Sequence, residues 1–344
     1  MLSILLPKSN DLSNEVYLDE YIILCKKFAI VDTSWDNFWS LKGDYDYVHL
    51  HWPEYYVNWK IPDIEFLKKI EYVLDEWKKK SKIVVTRHNY SPHLAKSKTF
   101  DSLYNLFYKK SSFIHHLGNY SKIEFLNNYP ALSHLNHYVI PHHIFFSYPN
   151  NTTKAQARKY LNIKESNFVF FVFGNIRKSS ERKIIQQAFN LIPVSPKTLL
   201  VPRWRKASKN KIYVFIHNFF ILGWDYIFNI FTNKYILSDD FVSENDVQVY
   251  FNSSDLLFIP RIDSLNSGIP FINSIFGLNL IGPEVGNIAE SVLSFGGILY
   301  NPADLQSLNQ AISSYFLSAI STTKSNLVND EIIALLKSMY EENI

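Results

Sequence analysis

A chain of 344 residues, 47% hydrophobic and 19% charged, is long enough for two α/β domains with separate cores, and this balance excludes disorder and fibrous repeats. Its net charge of +3 is too small to indicate nucleic-acid binding, which needs a concentrated basic face. A single cysteine, Cys25, excludes an internal disulfide or a cysteine zinc site. The sequence shows neither a signal peptide nor a long apolar stretch, and it therefore predicts a cytoplasmic protein.

The first 145 residues alternate short β-rich runs with amphipathic helices, the pattern of a parallel sheet. The sequence predicts a helix over about 62–80 and strands at 47–51, 83–86, 112–116 and 138–140. Ligand-facing side chains follow the carboxyl ends of such strands. By this rule we expect one crevice to collect His51, Glu54, His88, His93 and His116.

The pattern breaks between 141 and 151, and a second α/β unit begins there. We therefore place a domain boundary at 145/146. Strands are predicted at 168–173, 198–201, 256–259 and 278–281, with helices that include 244–252. This spacing again predicts a doubly wound parallel sheet.

Two segments of the second half favour phosphate binding. Gly174 ends a buried strand, and Arg177 then offers a planar guanidinium that can donate to two phosphate oxygens, with Lys183 as a second cation. The segment 259–268 leaves another strand and enters a helix through small polar residues, where unpaired backbone NH groups suit an anion. Two such sites in one domain predict a diphosphate ligand.

Four motifs in order, GNIR at 174–177, DVQVYFNSSD at 246–255, LNSG at 265–268 and GPEVGNIAE at 282–290, resemble the donor half of bacterial GT-B glycosyltransferases. These glycosyltransferases are of the group 1, family 4-like type that acts in polysaccharide biosynthesis. Segments 48–54, 85–89, 116–121 and 139–142 resemble the acceptor side of the same proteins. The resemblance thus covers nearly the whole chain.

The resemblance implies two Rossmann-like domains that face each other across a cleft: 1–145 for the acceptor and 146–325 for the nucleotide sugar, with 326–344 returning as a helix to the first domain. It implies sugar transfer from a UDP- or GDP-sugar to a saccharide or lipid-linked acceptor, without a metal or other cofactor. Carried over by position, the donor-site residues are Gly174, Arg177, Lys183, Asp263, Asn266, Ser267, Gly268 and Glu290. The catalytic candidates are His88, which would face the reacting sugar, with His51 and Glu54.

The sequence departs from the family pattern at the donor sugar. Many retaining members carry two glutamates separated by seven residues, whereas this chain has Ser264 and Ile272 there, with Asp263 the only nearby acid. The lysine expected soon after the arginine is displaced, with Lys178 and Lys183 as candidates. The missing glutamates leave a non-catalytic GT-B-like binding or regulatory protein as an alternative.

The distribution of histidine also suggests a different function. Ten of the 11 histidines fall at or before His143, and such a concentration could form the metal site of a metal-dependent hydrolase, although no His-Glu-x-x-His motif accompanies them. Within a glycosyltransferase, the general base remains open among His51, Glu54, His88 and His93.

Two basic clusters, at 78–82 and 203–211, and the aromatic segment 213–235 allow two interpretations. They are consistent with solvated surface and core, or with peripheral contact to an anionic membrane.

Overall fold

The computed structural model describes residues 1–9, 15–90, 97–204, 235–238, 241–317 and 328–343. Two parts of the chain discussed above lie outside these ranges. They are His93 and residues 205–234, which include most of the basic cluster at 203–211 and of the aromatic segment at 213–235. Contacts divide the chain into two compact units, Met1–His143 together with Leu327–Ile344, and Ile144–Asn326. In the part of the chain that is described, no helix is long and apolar enough to cross a bilayer.

The first unit contains a parallel sheet of six described strands in the order β2-β1-β3-β4-β5-β6. The strands are β1 (Ser3–Lys8), β2 (Ile30–Ser34), β3 (Tyr47–His51), β4 (Lys82–Arg87), β5 (Phe113–His116) and β6 (Asn136–Val139). The helices are α1 (Val16–Cys25), α2 (Trp35–Ser40), α3 (Ile64–Lys80), α4 (Lys98–Lys110) and α5 (Asn119–Asn128), with 3-10 turns at Pro53–Val57 and Pro130–Leu132.

The second unit contains a parallel sheet of six described strands in the order β12-β11-β10-β7-β8-β9. The strands are β7 (Phe168–Phe171), β8 (Lys197–Val201), β9 (Tyr235–Leu237), β10 (Leu256–Phe258), β11 (Asn279–Pro283) and β12 (Ile298–Tyr300). The helices are α6 (Lys154–Tyr160), α7 (Ser179–Leu191), α8 (Glu244–Asn252), α9 (Ile269–Phe276), α10 (Gly286–Ser294) and α11 (Leu305–Leu317). The last helix, α12 (Asn329–Glu341), belongs to the first unit.

The two predicted parallel sheets are confirmed, and the boundaries differ by a few residues for local reasons. The helix predicted from about 62 begins at Ile64, because the Asp63 carboxylate accepts a hydrogen bond from the Phe66 backbone NH at 2.7 Å and so caps the first turn. The strand predicted at 168–173 ends at Phe171, although the Val172 NH still donates to the Leu200 carbonyl oxygen at 3.0 Å.

The sheet of the first unit has two chemically different faces. Val48 and Leu50 of β3 point into an apolar core that also contains Trp77 of α3 and Phe107 of α4. Because side chains alternate along a strand, the neighbouring positions of β3 face the opposite side, where α12 packs. There the Tyr47 hydroxyl donates to the Tyr340 carbonyl oxygen at 2.6 Å. This second face carries His49, His51 and His115, and we call it the histidine face, whereas the buried His116 lies on the apolar side against Phe125.

The sheet of the second unit is covered by apolar side chains on both faces, as expected for parallel strands between helices. One face packs Phe170 and Phe258 against α7 and α11. On the other face, Phe171 and Phe173 lie against Phe251 of α8, with ring centroids 5.0 and 5.1 Å apart. The polar residues of the predicted phosphate site follow the carboxyl ends of these strands.

Removing the Tyr340 hydroxyl should destabilise the first unit. In Tyr340→Phe the buried Nδ1 of His49 loses its close hydroxyl partner and retains only the Tyr21 hydroxyl, 3.5 Å away. A buried polar atom left without a good hydrogen bond costs about 1–3 kcal/mol. We expect a lower urea midpoint, followed by tryptophan fluorescence. Tyr160→Phe, at a side chain that is 72% exposed, is the control and should leave the midpoint unchanged; an equal midpoint for both variants would contradict this role of Tyr340.

Candidate functional site

Gly174 lies where the chain leaves β7, and its backbone requires glycine. Its φ is +90°, in the left-handed region that other residues rarely adopt. A Cβ atom placed on it would lie 3.4 Å from Nη2 of Arg261 and 3.4 Å from Cδ1 of Ile269. The backbone after β7 is therefore brought close to the side chain of Arg261.

A single buried carboxylate, that of Glu181 on α7, organises the two arginines around this glycine. Glu181 Oε1 accepts from Arg261 Nη1 at 2.8 Å. Glu181 Oε2 accepts from the backbone NH groups of Arg177 at 2.6 Å and Lys178 at 3.2 Å. Glu181 and Arg261 are buried, whereas the Arg177 side chain is exposed. We call Gly174, Arg177, Glu181 and Arg261 the arginine cradle.

The arginine cradle has an excess of positive charge. Although Arg177 keeps a solvent-exposed surface, partial desolvation by the surrounding protein and the neighbouring Arg261 guanidinium lower its pKa to about 10, which still leaves it protonated at neutral pH. Only the Arg261 guanidinium is paired with Glu181, and it repels the nearby Arg177 guanidinium, so an anion bound beside Arg177 would relieve this repulsion. Planar guanidinium groups also match the oxygen geometry of phosphate.

The other predicted cations lie elsewhere. Lys178 forms an ion pair with Asp263, and both side chains are exposed. Lys183 is exposed and lines a separate cavity of about 420 Å³ together with Tyr300. The structure thus places Arg261, rather than Lys183, beside Gly174. Arg261 was not singled out in the sequence, although a charged residue at the end of an apolar strand is a signal for it.

The small polar residues of the LNSG segment precede α9 as expected. Gly268 is the N-cap residue of α9 and has no side chain that could accept from the first turn. The Ser267 hydroxyl instead accepts from the Ile269 NH at 3.3 Å. Backbone NH groups in this first turn are the type of donor that holds phosphate. Ile269 also approaches the position of Gly174, so this turn adjoins the arginine cradle.

The start of α10 supports the segment before α9. Gly286 has φ +54°, and a Cβ atom there would lie 2.6 Å from the Leu265 carbonyl oxygen, so only glycine fits. The amide of Asn287 donates to Asn266 Oδ1 at 2.7 Å. The predicted donor residue Glu290 is half-buried on the same helix.

In the first unit, Glu54 is fully buried and both of its oxygens are used. Oε1 accepts from the Asn89 amide at 2.9 Å and Oε2 from the Tyr104 hydroxyl at 2.5 Å. Burial raises the pKa of Glu54. The structure therefore shows Glu54 bracing the turn after β3 against α4, and these contacts do not bring its carboxylate to the predicted catalytic histidines.

A directed chain of hydrogen bonds crosses the histidine face of the sheet. His115 Nε2 lies 2.9 Å from the Ile140 carbonyl oxygen, which can only accept, so this nitrogen carries the proton. His115 Nδ1 therefore accepts from the Thr86 hydroxyl at 3.0 Å, and that oxygen accepts from His49 Nε2 at 2.6 Å. His49 Nδ1 accepts from the Tyr340 hydroxyl. When the hydrogen bonds run in this one direction, each link of the chain has one donor and one acceptor, and His49 and His115 are both neutral.

His51 and His88, two predicted catalytic residues, are brought together at the ends of β3 and β4. His51 Nδ1 and His88 Nε2 are 2.8 Å apart. The Trp52 ring stacks on His88 with centroids 3.9 Å apart and planes 22° apart. Burial lowers the pKa of both histidines well below the usual range. They are therefore neutral at physiological pH.

His116 was expected with this pair, but its hydrogen bonds lead elsewhere. Its Nδ1 lies 3.0 Å from the Ser121 hydroxyl, and its Nε2 lies 3.0 Å from His137 Nδ1. Over the ranges that the structure covers, no three His, Cys, Asp or Glu side chains are grouped so as to hold a metal ion. The abundance of histidine in this half is thus accounted for by hydrogen-bonded packing.

Stability should fall as the pH drops below about 6.5. Burial lowers the pKa of His115 to about 4 and of His116 to about 2, whereas unfolded histidine titrates near 6.5. Below about pH 6.5 the unfolded state binds protons that the folded state does not bind, so each such histidine lowers the free energy of unfolding by up to about 1.4 kcal/mol per pH unit.

Urea midpoints measured from about pH 7.5 down to about pH 5.5, around the histidine pKa, check this. The exposed His134→Gln is the control and should leave the slope unchanged. A midpoint that does not change over this interval would show that the folded and unfolded states bind protons at these histidines equally well, and would contradict the lowered pKa values.

No protein-family model matches this sequence, and no curated protein matches it. Several solved structures share its shape. Sucrose-phosphate synthase from Thermosynechococcus elongatus is 12% identical with a TM-score of 0.68, over 100% of this chain and 99% of that one. Anabaena HepE in complex with UDP-glucose is 14% identical with a TM-score of 0.62, over 100% and 99%.

A glycosyltransferase from Rickettsia africae is 15% identical with a TM-score of 0.60, over 99% of this chain and 96% of that one. At such low identity these similarities concern the fold. They extend over the full length and include both parallel sheets. This chain therefore has the GT-B fold, as the resemblance implied.

Proposed function

We propose that this protein is a glycosyltransferase that moves a sugar from a UDP- or GDP-sugar to a saccharide or lipid-linked saccharide acceptor in the synthesis of a cell-surface polysaccharide. The observation that carries the proposal is the arginine cradle, in which Glu181 holds Arg261 and the backbone of Arg177 beside Gly174. Residues 146–325 would then bind the nucleotide sugar, and residues 1–145 the acceptor.

The cradle suits the electrostatic demand of this reaction. When the bond to the sugar breaks, negative charge develops on the departing diphosphate, and fixed cations stabilise that charge. Arg177 and Arg261 supply two such cations, and the turn at Ser267 and Gly268 supplies backbone NH donors. We assign no metal or other cofactor to this step, because these groups can meet the charge of the diphosphate.

The ligands of structural neighbours agree with this proposal. HepE was solved with UDP and with UDP-glucose, and a trehalose-phosphate synthase from Burkholderia vietnamiensis is described as UDP-forming. We place Asp263, Asn266 and Glu290 toward the sugar and ribose hydroxyls of the donor, and His88 toward the reacting sugar. Residues 326–344 would complete the acceptor domain through α12.

A non-catalytic binding protein is the second candidate, and one observation favours it. Ser264 and Ile272, which occupy the positions of the two family glutamates, are only 5% and 7% exposed. A buried isoleucine cannot bind a sugar hydroxyl. A catalytic protein would therefore have to contact the donor hydroxyls with other side chains, such as Asp263 and Glu290.

Turnover separates the two candidates. The protein should release free nucleoside diphosphate from at least one of a panel of UDP-, GDP- and dTDP-sugars, faster when a cell-derived lipid acceptor is added. Calorimetric binding of UDP and GDP is measured in parallel. Binding without turnover on any donor would favour the non-catalytic protein, and neither binding nor turnover would exclude both candidates.

The cradle arginines should control nucleotide affinity. Arg177→Ala removes a cation from the diphosphate site, and the loss of a hydrogen bond to a charged group, roughly 1.5–3 kcal/mol, weakens binding by about tenfold or more. Lys159→Ala is the control, because this exposed lysine on α6 precedes β7 and so lies toward the opposite edge of the sheet. Equal Kd values for both variants would remove Arg177 from the site.

We also propose that the protein contacts the anionic inner surface of the plasma membrane. At the start of α3, Ile61 and Ile64 are 59% and 66% exposed, and Lys60, Lys68 and Lys69 are exposed nearby in the sequence. The exposed acids Asp63 and Glu65 also flank Ile64, so attraction to anionic lipid would come from the three lysines, and exposed apolar side chains near lysines suit a peripheral site. Co-sedimentation with phosphatidylglycerol vesicles should fall for Ile64→Glu but not for Ile123→Glu, an exposed isoleucine on α5; equal sedimentation of the two would contradict this site.

A further inference from the structure

His88 is held by two consecutive residues, His51 and Trp52. His51 reaches it with one hydrogen bond, and Trp52 covers one of its faces with a parallel ring. Tyr17 of α1 closes the surroundings, with its ring centroid 5.1 Å from that of His88 at an interplanar angle of 88°. The imidazole of His88 is therefore located by a hydrogen bond and by packing on more than one side.

The backbone of Trp52 is strained. Its φ is +37°, a value that a bulky side chain rarely adopts, and the 3-10 turn Pro53–Val57 follows directly. Such conformations persist when the surrounding structure imposes them, and they occur preferentially at functional sites. The conformation sends the chain out of β3 while the indole ring remains stacked on His88.

The position of the shared proton follows from the burial of His51. Two neutral imidazoles 2.8 Å apart share one hydrogen. His51 Nε2 is buried and meets no hydrogen-bond partner among the residues that the structure describes. An orphaned buried N–H is rarer than an orphaned acceptor, so His51 carries its proton on Nδ1 and donates to His88 Nε2. The proton of neutral His88 must then be on Nδ1.

We infer that His51 and Trp52 are positioning residues that fix His88 as its Nδ1–H tautomer, so that Nδ1 of His88 is a hydrogen-bond donor and not a base. The assignment of a ligand to His88 rests on the proposed glycosyl transfer, whereas the tautomer does not. A donor at this position would bind a sugar hydroxyl or phosphate oxygen. The proton of the acceptor hydroxyl must then go to another group.

Nitrogen NMR of the full chain labelled with ¹⁵N-histidine tests the tautomer without any turnover. The His88 signals are assigned as those that disappear in His88→Gln. We expect a protonated-type shift at Nδ1 and a bare-nitrogen shift at Nε2. The reverse pattern, or an imidazolium pattern at neutral pH, would overturn the inference even if the protein proved to be an active transferase.

Variants at position 51 test the positioning role. His51→Asn keeps an N–H donor near the place of Nδ1 and should preserve the His88 spectrum, whereas His51→Leu should mix the two tautomers. The matched control is His137→Gln, which breaks the other histidine–histidine hydrogen bond, between His116 and His137. If His51→Leu changed the His88 signals no more than this control does, His51 would not be a positioning residue.

Kinetics test the consequence for the reaction. His51→Leu and Trp52→Leu should lower kcat by roughly tenfold, with the Kd for UDP unchanged, because the proposed UDP site lies in the other unit. Trp52→Phe keeps a stacking ring and should retain most of kcat. If Trp52→Leu matched Trp52→Phe in kcat while both remained folded by circular dichroism, Trp52 would have no positioning role. If the wild-type protein turned over no donor, only the proposed function would fail, and the NMR result would stand.

Discussion

Every strand pair described in either sheet is parallel, so the carboxyl ends of the strands collect at one edge of each sheet. Gly174 follows β7, Arg261 follows β10, and His51 and His88 follow or end β3 and β4. Residues that are far apart in the chain meet there because the sheet brings them together. The arginine cradle and the His51–His88 pair both depend on this geometry.

A polar group that is buried in such a sheet must find a partner, and this requirement explains the histidine face of the first unit. The carbonyl of Ile140 can only accept, which sets the direction of the chain through His115, Thr86 and His49. Neutral imidazole suits this setting because each ring offers one donor and one acceptor. Because burial lowers the pKa of these rings and unfolding exposes them to bind protons, we expect the unit to lose stability in acid.

In the second unit, a single carboxylate fixes the positions of the residues of the arginine cradle, as the hydrogen-bond chain fixes those of the histidines in the first unit. Glu181 joins Arg261 to the backbone of Arg177 and Lys178, and it is almost fully buried. A buried ion pair holds its geometry because breaking it leaves an unpaired charge inside the protein. In the proposed donor site, Arg261 would therefore supply the second cation that the family resemblance led us to expect from a lysine.

The sequence by itself predicted the two parallel α/β units, because alternating strands and helices leave a local pattern, and its resemblance to GT-B glycosyltransferases implied the GT-B fold. Only the tertiary structure decided which side chains meet. It paired Lys178 with Asp263, directed Lys183 into a separate cavity, placed Arg261 beside Gly174 and buried Glu54 under Tyr104. These contacts join distant strands and helices, so their geometry is set by packing and burial, which local spacing in the sequence does not encode.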